Sequence, residues 1–225
     1  VQAILYPQIT SNLKNKALNM VHLYLAEKGI EVNGKLLETI QLKKGHLIYQ
    51  PPQLITPIFE IVCGAVKIGS YSPEGNEVCC DILRPGDFFG NLHYLKGQFS
   101  EFSKTLTSTE LRVYDADFFK QLVANQPKLA EWFFKELVIR WCRAENRLYT
   151  IRILNPEEKV NRILPYFQDQ ITDAEGKIFN LRKMVTIQDI ADLTGLTRQT
   201  VSKVLQKDAL QPNKSRKIYL DRKPS

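Results

Sequence analysis

The twenty residues "TIQDIADLTGLTRQTVSKVL", Thr186 to Leu205, permit few folds. Counting from Ile187, small or apolar residues fall at positions 4, 5, 10, 15 and 18, and glycine falls at 9. Thr186 can cap a helix starting at Ile187, with Asp189 closing a capping box. Ile190 and Ala191 then face inward, and Gly195 supplies a tight corner. Leu196 enters the shared core, Thr197 caps a second helix, and Val201 and Val204 face back on the first. Small Ala191 stands where the two helices cross.

The second helix exposes Arg198, Gln199, Ser202 and Lys203, with Gln206 further along. An arginine fork and a glutamine amide match the donors and acceptors of base edges in the major groove. Thr197, Thr200 and the helix amino end suit phosphate oxygens. Beyond it, "LQPNKSRKIYLDRK" predicts a strand at "IYL" and a basic turn from Asn213 to Lys217. That pattern is a wing along the backbone, with Lys214, Arg216 and Lys217 as phosphate contacts. The alternative is a solvated polar face on a small helical bundle.

Charge follows the same division. Residues 177–225 hold eleven Lys or Arg against four Asp or Glu, so this segment equals the whole chain's formal charge of +7. A local surplus of this kind draws a polyanion and speeds its encounter.

Upstream, Ala130, Phe134, Leu137, Trp141, Ala144, Leu148 and Ile151 succeed one another at spacings alternating between 4 and 3. That heptad seam suits two parallel helices side by side. Phe133, Val138, Ile139 and Cys142 add a second apolar face for the chain's own body. Asn155 caps the next helix and Pro156 opens it, while Pro165 bends or ends it.

From Glu38 to Asp117 the period changes to short strands, "HLIYQ", "IFEIVCGAVKIGSYS", "NEVCCDIL" and "ELRVYD". "SPEGNE" and "RPGD" supply turns between them. The spacing predicts an antiparallel barrel or jelly roll, with residues 11–30 as a helix packed against it. The expected organisation is therefore α+β. A jelly-roll sensor domain spans 1–125, a long dimerisation helix 126–155, and a winged helix-turn-helix domain 156–225.

The motifs "KKGHLIYQ", "VCGAVKIGSYSPEGNEVCCDILRPGDFFGNL", the long helix and "TIQDIADLTGLTRQTVSKVL" together resemble the CRP/FNR family of bacterial transcription regulators. The resemblance covers residues 38–220. It implies a homodimer that sets two recognition helices in successive major grooves of a near-palindromic site. It also implies RNA polymerase as a partner, and places the reading positions on Arg198, Gln199 and Lys203.

The sensing half departs from the nucleotide-binding branch. After "GDFFG" that branch has a glutamate for the ribose, whereas Gly90 is followed here by Asn91. Its arginine–serine or arginine–threonine pair for the cyclic phosphate falls near Glu101 and Phe102. No arginine occurs between Arg84 and Arg112, and Lys96 and Lys104 lack a bidentate fork. Cyclic AMP is therefore not the expected effector. Phe89, Gly90, Asn91, Leu92 and His93 mark the candidate pocket for a different small molecule, and control by abundance without a ligand is the alternative.

No cysteine precedes Cys63, as an iron–sulfur centre of the oxygen-sensing branch would need, and no cofactor or metal is expected. Cys63, Cys79, Cys80 and Cys142 match no zinc spacing and read as reduced thiols of a cytoplasmic chain. His22, His46 and His93 are too scattered for a cupin-like metal enzyme, which stands as the minor alternative. No apolar run suits a membrane span, and the first residues lack an export-signal pattern.

Overall fold

A computed structural model describes residues 20–30, 34, 36–53, 55–92, 94 and 100–210. The expected wing, with Lys214, Arg216 and Lys217, lies outside the described residues, as does His93. Helix α1 (Met20–Glu27) precedes eight strands: β1 (Leu37–Leu42), β2 (Leu47–Tyr49), β3 (Ile58–Cys63), β4 (Val66–Tyr71), β5 (Glu77–Leu83), β6 (Phe88–Phe89), β7 (Phe102–Thr105) and β8 (Thr109–Tyr114).

The strands form two antiparallel sheets, ordered β1-β8-β3-β6 and β2-β7-β4-β5. The jelly-roll barrel expected from the strand spacing does not form. Neither sheet closes, and among the described residues no ladder joins the edges of one to the other. Closure needs a continuous staggered ladder, but edge strands β2 and β6 have only three and two residues. The chain also crosses between sheets in turns, at Gly64–Ala65 and at Leu106–Ser108, rather than along bent strands. Instead the inner faces pack together, with Tyr49, Ile61, Val66, Ile68, Leu83 and Leu111 buried between them. Two tight turns follow strands, one closing the β4–β5 hairpin and one leading from β5 of the second sheet to β6 of the first. Ser72 N–H donates to Asn76 O at 2.9 Å, and Asp87 N–H donates to Arg84 O at 2.9 Å.

Helix α2 (Ala116–Asn125) is capped by Asp115, whose side chain accepts from Phe118 N–H. Helix α3 (Pro127–Ile153) follows directly, with proline in its first turn. Its start packs through Leu129 and Trp132 against α1, α2 and Phe88, the Trp132 and Phe88 rings meeting edge to face at 5.0 Å.

The remaining described elements are α4 (Pro156–Ile163), a 3-10 turn (Leu164–Phe167), β9 (Gln170–Thr172), β10 (Ile178–Asn180), a second 3-10 turn (Leu181–Lys183), α5 (Ile187–Thr194) and α6 (Arg198–Leu210). Asn155 and Glu158 make a full capping box at the start of α4. Pro165 falls where that helix tightens into its 3-10 turn. The β9–β10 hairpin, turned at Gly176, was not among the expected strands. The core of this part is Val160, Phe167, Leu181, Ile190, Val201 and Val204, and it continues into Ala65, Cys79 and Ile82 of the strand region.

Candidate nucleic-acid interface

The corner between α5 and α6 is built as its residue types require. Thr186 accepts from Asp189 N–H, and the Asp189 carboxylate accepts from Thr186 N–H, so two orphan amides are satisfied. Gly195 stands at φ 64° and ψ 30°, the left-handed region where a Cβ is costly. A Cβ there would also lie 3.1 Å from the Ile151 side chain. Thr194 returns its hydroxyl to Ile190 O at 2.6 Å.

Helix α6 lies with Val201 and Val204 buried against α5. Arg198, Gln199, Lys203 and Gln206 are exposed, while Thr200 and Ser202 are half-buried. Thr197 Oγ1 accepts from Thr200 N–H at 3.2 Å and pairs with the Thr200 hydroxyl at 2.9 Å, holding both hydroxyls at the amino end of the helix. One helix thus presents an arginine, an amide and a lysine outward over a rigid apolar base.

On α3, Phe134, Leu137, Trp141, Ala144 and Leu148 are exposed; Trp141 is 66% exposed and Phe134 63%, joined by Val138 and Tyr149. An apolar stripe of this size on a helix marks a contact surface. Ala130 is half-buried, and Ile151 sits beneath Gly195 of its own chain. A separate polar face of α3 holds the sheet region. Arg140 donates to Phe88 O at 2.7 Å, Arg143 pairs with Asp87 at 3.4 Å, and Arg147 pairs with Asp81 at 2.9 Å. Arg140, Arg143 and Arg147 recur at helical spacing beside the seam, so this ladder was legible in the sequence.

The helix-turn-helix is docked on the second sheet. Lys67 Nζ lies 3.2 Å from Asp189 Oδ1, and Cys79 N–H donates to Asp192 Oδ2 at 2.8 Å. Gly64 N–H donates to Thr172 O at 2.8 Å, and Ala174 N–H to Ser108 O at 3.1 Å. Burial opposes the Lys67 charge, but Asp189 and Glu77 outweigh it and hold the ammonium above its ordinary value. The Cys79 thiol is pushed up by burial, with Asp189 adding to it, so it is an inert core thiol. These contacts join residues 66 to 122 positions apart, which local sequence patterns do not register.

Phe89, Gly90, Asn91 and Leu92 are consumed in packing. Phe89 stacks on Phe59 with ring centres 4.9 Å apart, and both lie near Tyr49. Gly90 has φ 114°, and a Cβ there would meet Pro57 O at 2.3 Å. Asn91 is buried with its N–H donated to Thr56 Oγ1 at 2.8 Å, and Leu92 packs on the α2–α3 cluster.

At the positions where the resemblance places the cyclic-phosphate contacts, Tyr49 donates to Glu101 at 2.6 Å and Phe102 is fully buried, its ring 5.0 Å from Tyr71. Burial holds the Glu101 carboxyl above its ordinary range. A carboxyl and a phenyl ring offer a cyclic phosphate repulsion or no donor, so these residues do not fit one.

The cyclic nucleotide-binding domain family matches residues 39–126. A CRP-like cAMP-activated global transcriptional regulator of Mycobacterium tuberculosis is 27% identical over 172 residues, covering 76% of this chain and 77% of that protein. The global nitrogen regulator of Synechococcus elongatus is 27% identical over 179 residues, covering 77% of this chain and 80% of that protein. Among solved structures, FixK2 from Bradyrhizobium japonicum superposes with a TM-score of 0.65 at 18% identity, covering 84% of this chain and all of that one. A two-sheet unit, a long helix and a helix-turn-helix in this order define a DNA-binding transcriptional regulator. In sequence and in fold this chain is similar to CRP/FNR-type transcriptional regulators. Among the described residues, no helix is long and apolar enough to cross a membrane.

Proposed function

We propose that the chain acts as a homodimer on a near-palindromic duplex, reading bases with Arg198, Gln199, Ser202 and Lys203. Thr197 and Thr200 hold phosphates, as do Lys214, Arg216 and Lys217 of the wing. The observation that carries this reading is the outward set of Arg198, Gln199 and Lys203 on a helix whose other side is fixed by Val201 and Val204. The exposed stripe from Phe134 to Leu148 supports a second copy along α3. Residues 1–125 form the sensing part, 126–155 the dimer helix and 156–225 the reading part, with RNA polymerase as the partner of the DNA-bound dimer.

Control falls to a small ligand other than cyclic AMP. The Tyr49–Glu101 pair supports this, since it stands where a cyclic phosphate would need an arginine fork. Selection of bound duplexes from a random pool tests the reading. A two-fold symmetric consensus is the expected result, and enrichment of an asymmetric site or of none would remove the dimeric reading.

A further inference from the structure

A small cleft, partly open to solvent, lies where β5, α3 and the α4–α5 region meet. Each of the three contributes to its walls. Asp81, Ile82 and Arg84 come from the end of the second sheet; Arg143, Asn146 and Arg147 come from the long helix. Arg162 and an apolar wall of Ile163, Phe167 and Leu193 come from the reading part. The walls thus carry four guanidinium groups against one carboxylate.

Three of these arginines are held in place by carboxylates, one of which, Asp81, itself lines the cleft. Arg84 pairs with Asp169, Arg143 with Asp87 and Arg147 with Asp81. A guanidinium carries five N–H donors in a rigid fork, more than one carboxylate takes up. The fourth is held differently: Arg162 lies over the Tyr149 ring, 5.8 Å from its centre. A cation–π contact of this kind engages the charge with the ring face and leaves guanidinium N–H groups for an acceptor. Fixed arginine forks beside an apolar wall suit an anionic group attached to a ring or short hydrocarbon.

We infer that this cleft binds a small organic anion, a phosphate or carboxylate on an apolar body, and is the site through which the regulator is controlled. The inference rests on the proposed ligand control only in that last step. It assigns the ligand to the junction of the three parts rather than to the sheet interior, where Tyr49, Phe59 and Phe89 are packed together. A ligand here touches the strand region, the dimer helix and the base of the reading unit at once. It therefore changes the free energy of the docked arrangement itself.

The test is calorimetric titration of the full-length protein with phenyl phosphate and, separately, with benzoate, each against sodium chloride at matched ionic strength. Saturable binding of at least one is expected, and the tighter of the two identifies the anionic group. Arg162→Gln and Asn146→Asp should each weaken it by about tenfold or more, the worth of one charge-assisted hydrogen bond. Lys43→Gln, on an exposed turn outside the cleft lining, should leave it unchanged. Binding no different from chloride, or undiminished binding in both cleft variants, would overturn the site and leave the arginines as interdomain ties only. Because no DNA is present, loss of operator recognition with anion binding intact would count against the proposed DNA-reading function while upholding the cleft.

Discussion

Asp189 serves two parts of the molecule with one buried carboxylate. Oδ2 accepts from the backbone and hydroxyl of Thr186 and so starts the first helix of the motif. Oδ1 faces Lys67 on the second sheet. Arg198 has the opposite character, exposed and with no partner for its fork among the described residues. Replacing it with alanine should relax the base preference, at about 1–3 kcal/mol for the preferred base, while most of the salt dependence persists. Binding to a panel of single-base operator variants at several salt concentrations measures both. Glu101 gives a pH prediction. The folded chain holds its carboxyl proton to higher pH than the unfolded chain does, chiefly through burial. Its contribution to stability is full below the ordinary glutamate value of 4.5 and is lost as pH rises through the raised folded value. Glu101→Gln should therefore flatten the fall of the urea midpoint over that window; an unchanged slope would place its cause elsewhere.

At the scale of elements, patterns with a short period were legible and pairings across the chain were not. The capping residues Thr186 and Asn155, the corner at Gly195 and the break at Pro165 all follow from neighbours within four residues. The turns of "SPEGNE" and "RPGD" were likewise readable. Strands β1 and β7 do not stand out in the sequence. Strand β1 sets exposed Glu38, Thr39 and Gln41 among its apolar residues. Strand β7 follows Phe102 with Ser103, Lys104 and Thr105, of which Ser103 and Thr105 are buried despite being polar. Barrel closure is not legible in the sequence for a related reason: strand spacing fixes how many strands exist, not whether their edges meet. The heptad stripe carries its own prediction. Trp141→Glu or Leu148→Glu places a charge in the seam and should yield monomers by sedimentation, with operator binding greatly weakened. A dimer of unchanged stability would send the contact elsewhere. Ile151, at the last position of the heptad, is spoken for by its own chain beneath Gly195.

For the whole molecule, the docking of the reading unit onto the second sheet is the feature that sequence could not supply. It depends on Lys67 meeting Asp189 and on the Cys79 amide meeting Asp192, contacts that only the assembled fold brings together. Lys67→Met keeps the aliphatic stem but removes the cation facing a buried carboxylate. It should lower stability by about 1–3 kcal/mol, read as a shifted denaturant midpoint. Protection of the α5 amides from hydrogen exchange should drop with it, and unchanged protection would mean that the apolar contacts alone hold the unit. Those apolar contacts have a consequence for heredity and engineering alike. Because Ala65, Cys79 and Ile82 are members of the same core as Ile190 and Val201, the reading head is not a cassette. A head transplanted from a cousin onto this sensing part would inherit a foreign floor, with Lys67 facing whatever replaces Asp189. Recombination between such regulators should therefore succeed only when the β4–β5 hairpin travels with the head it supports.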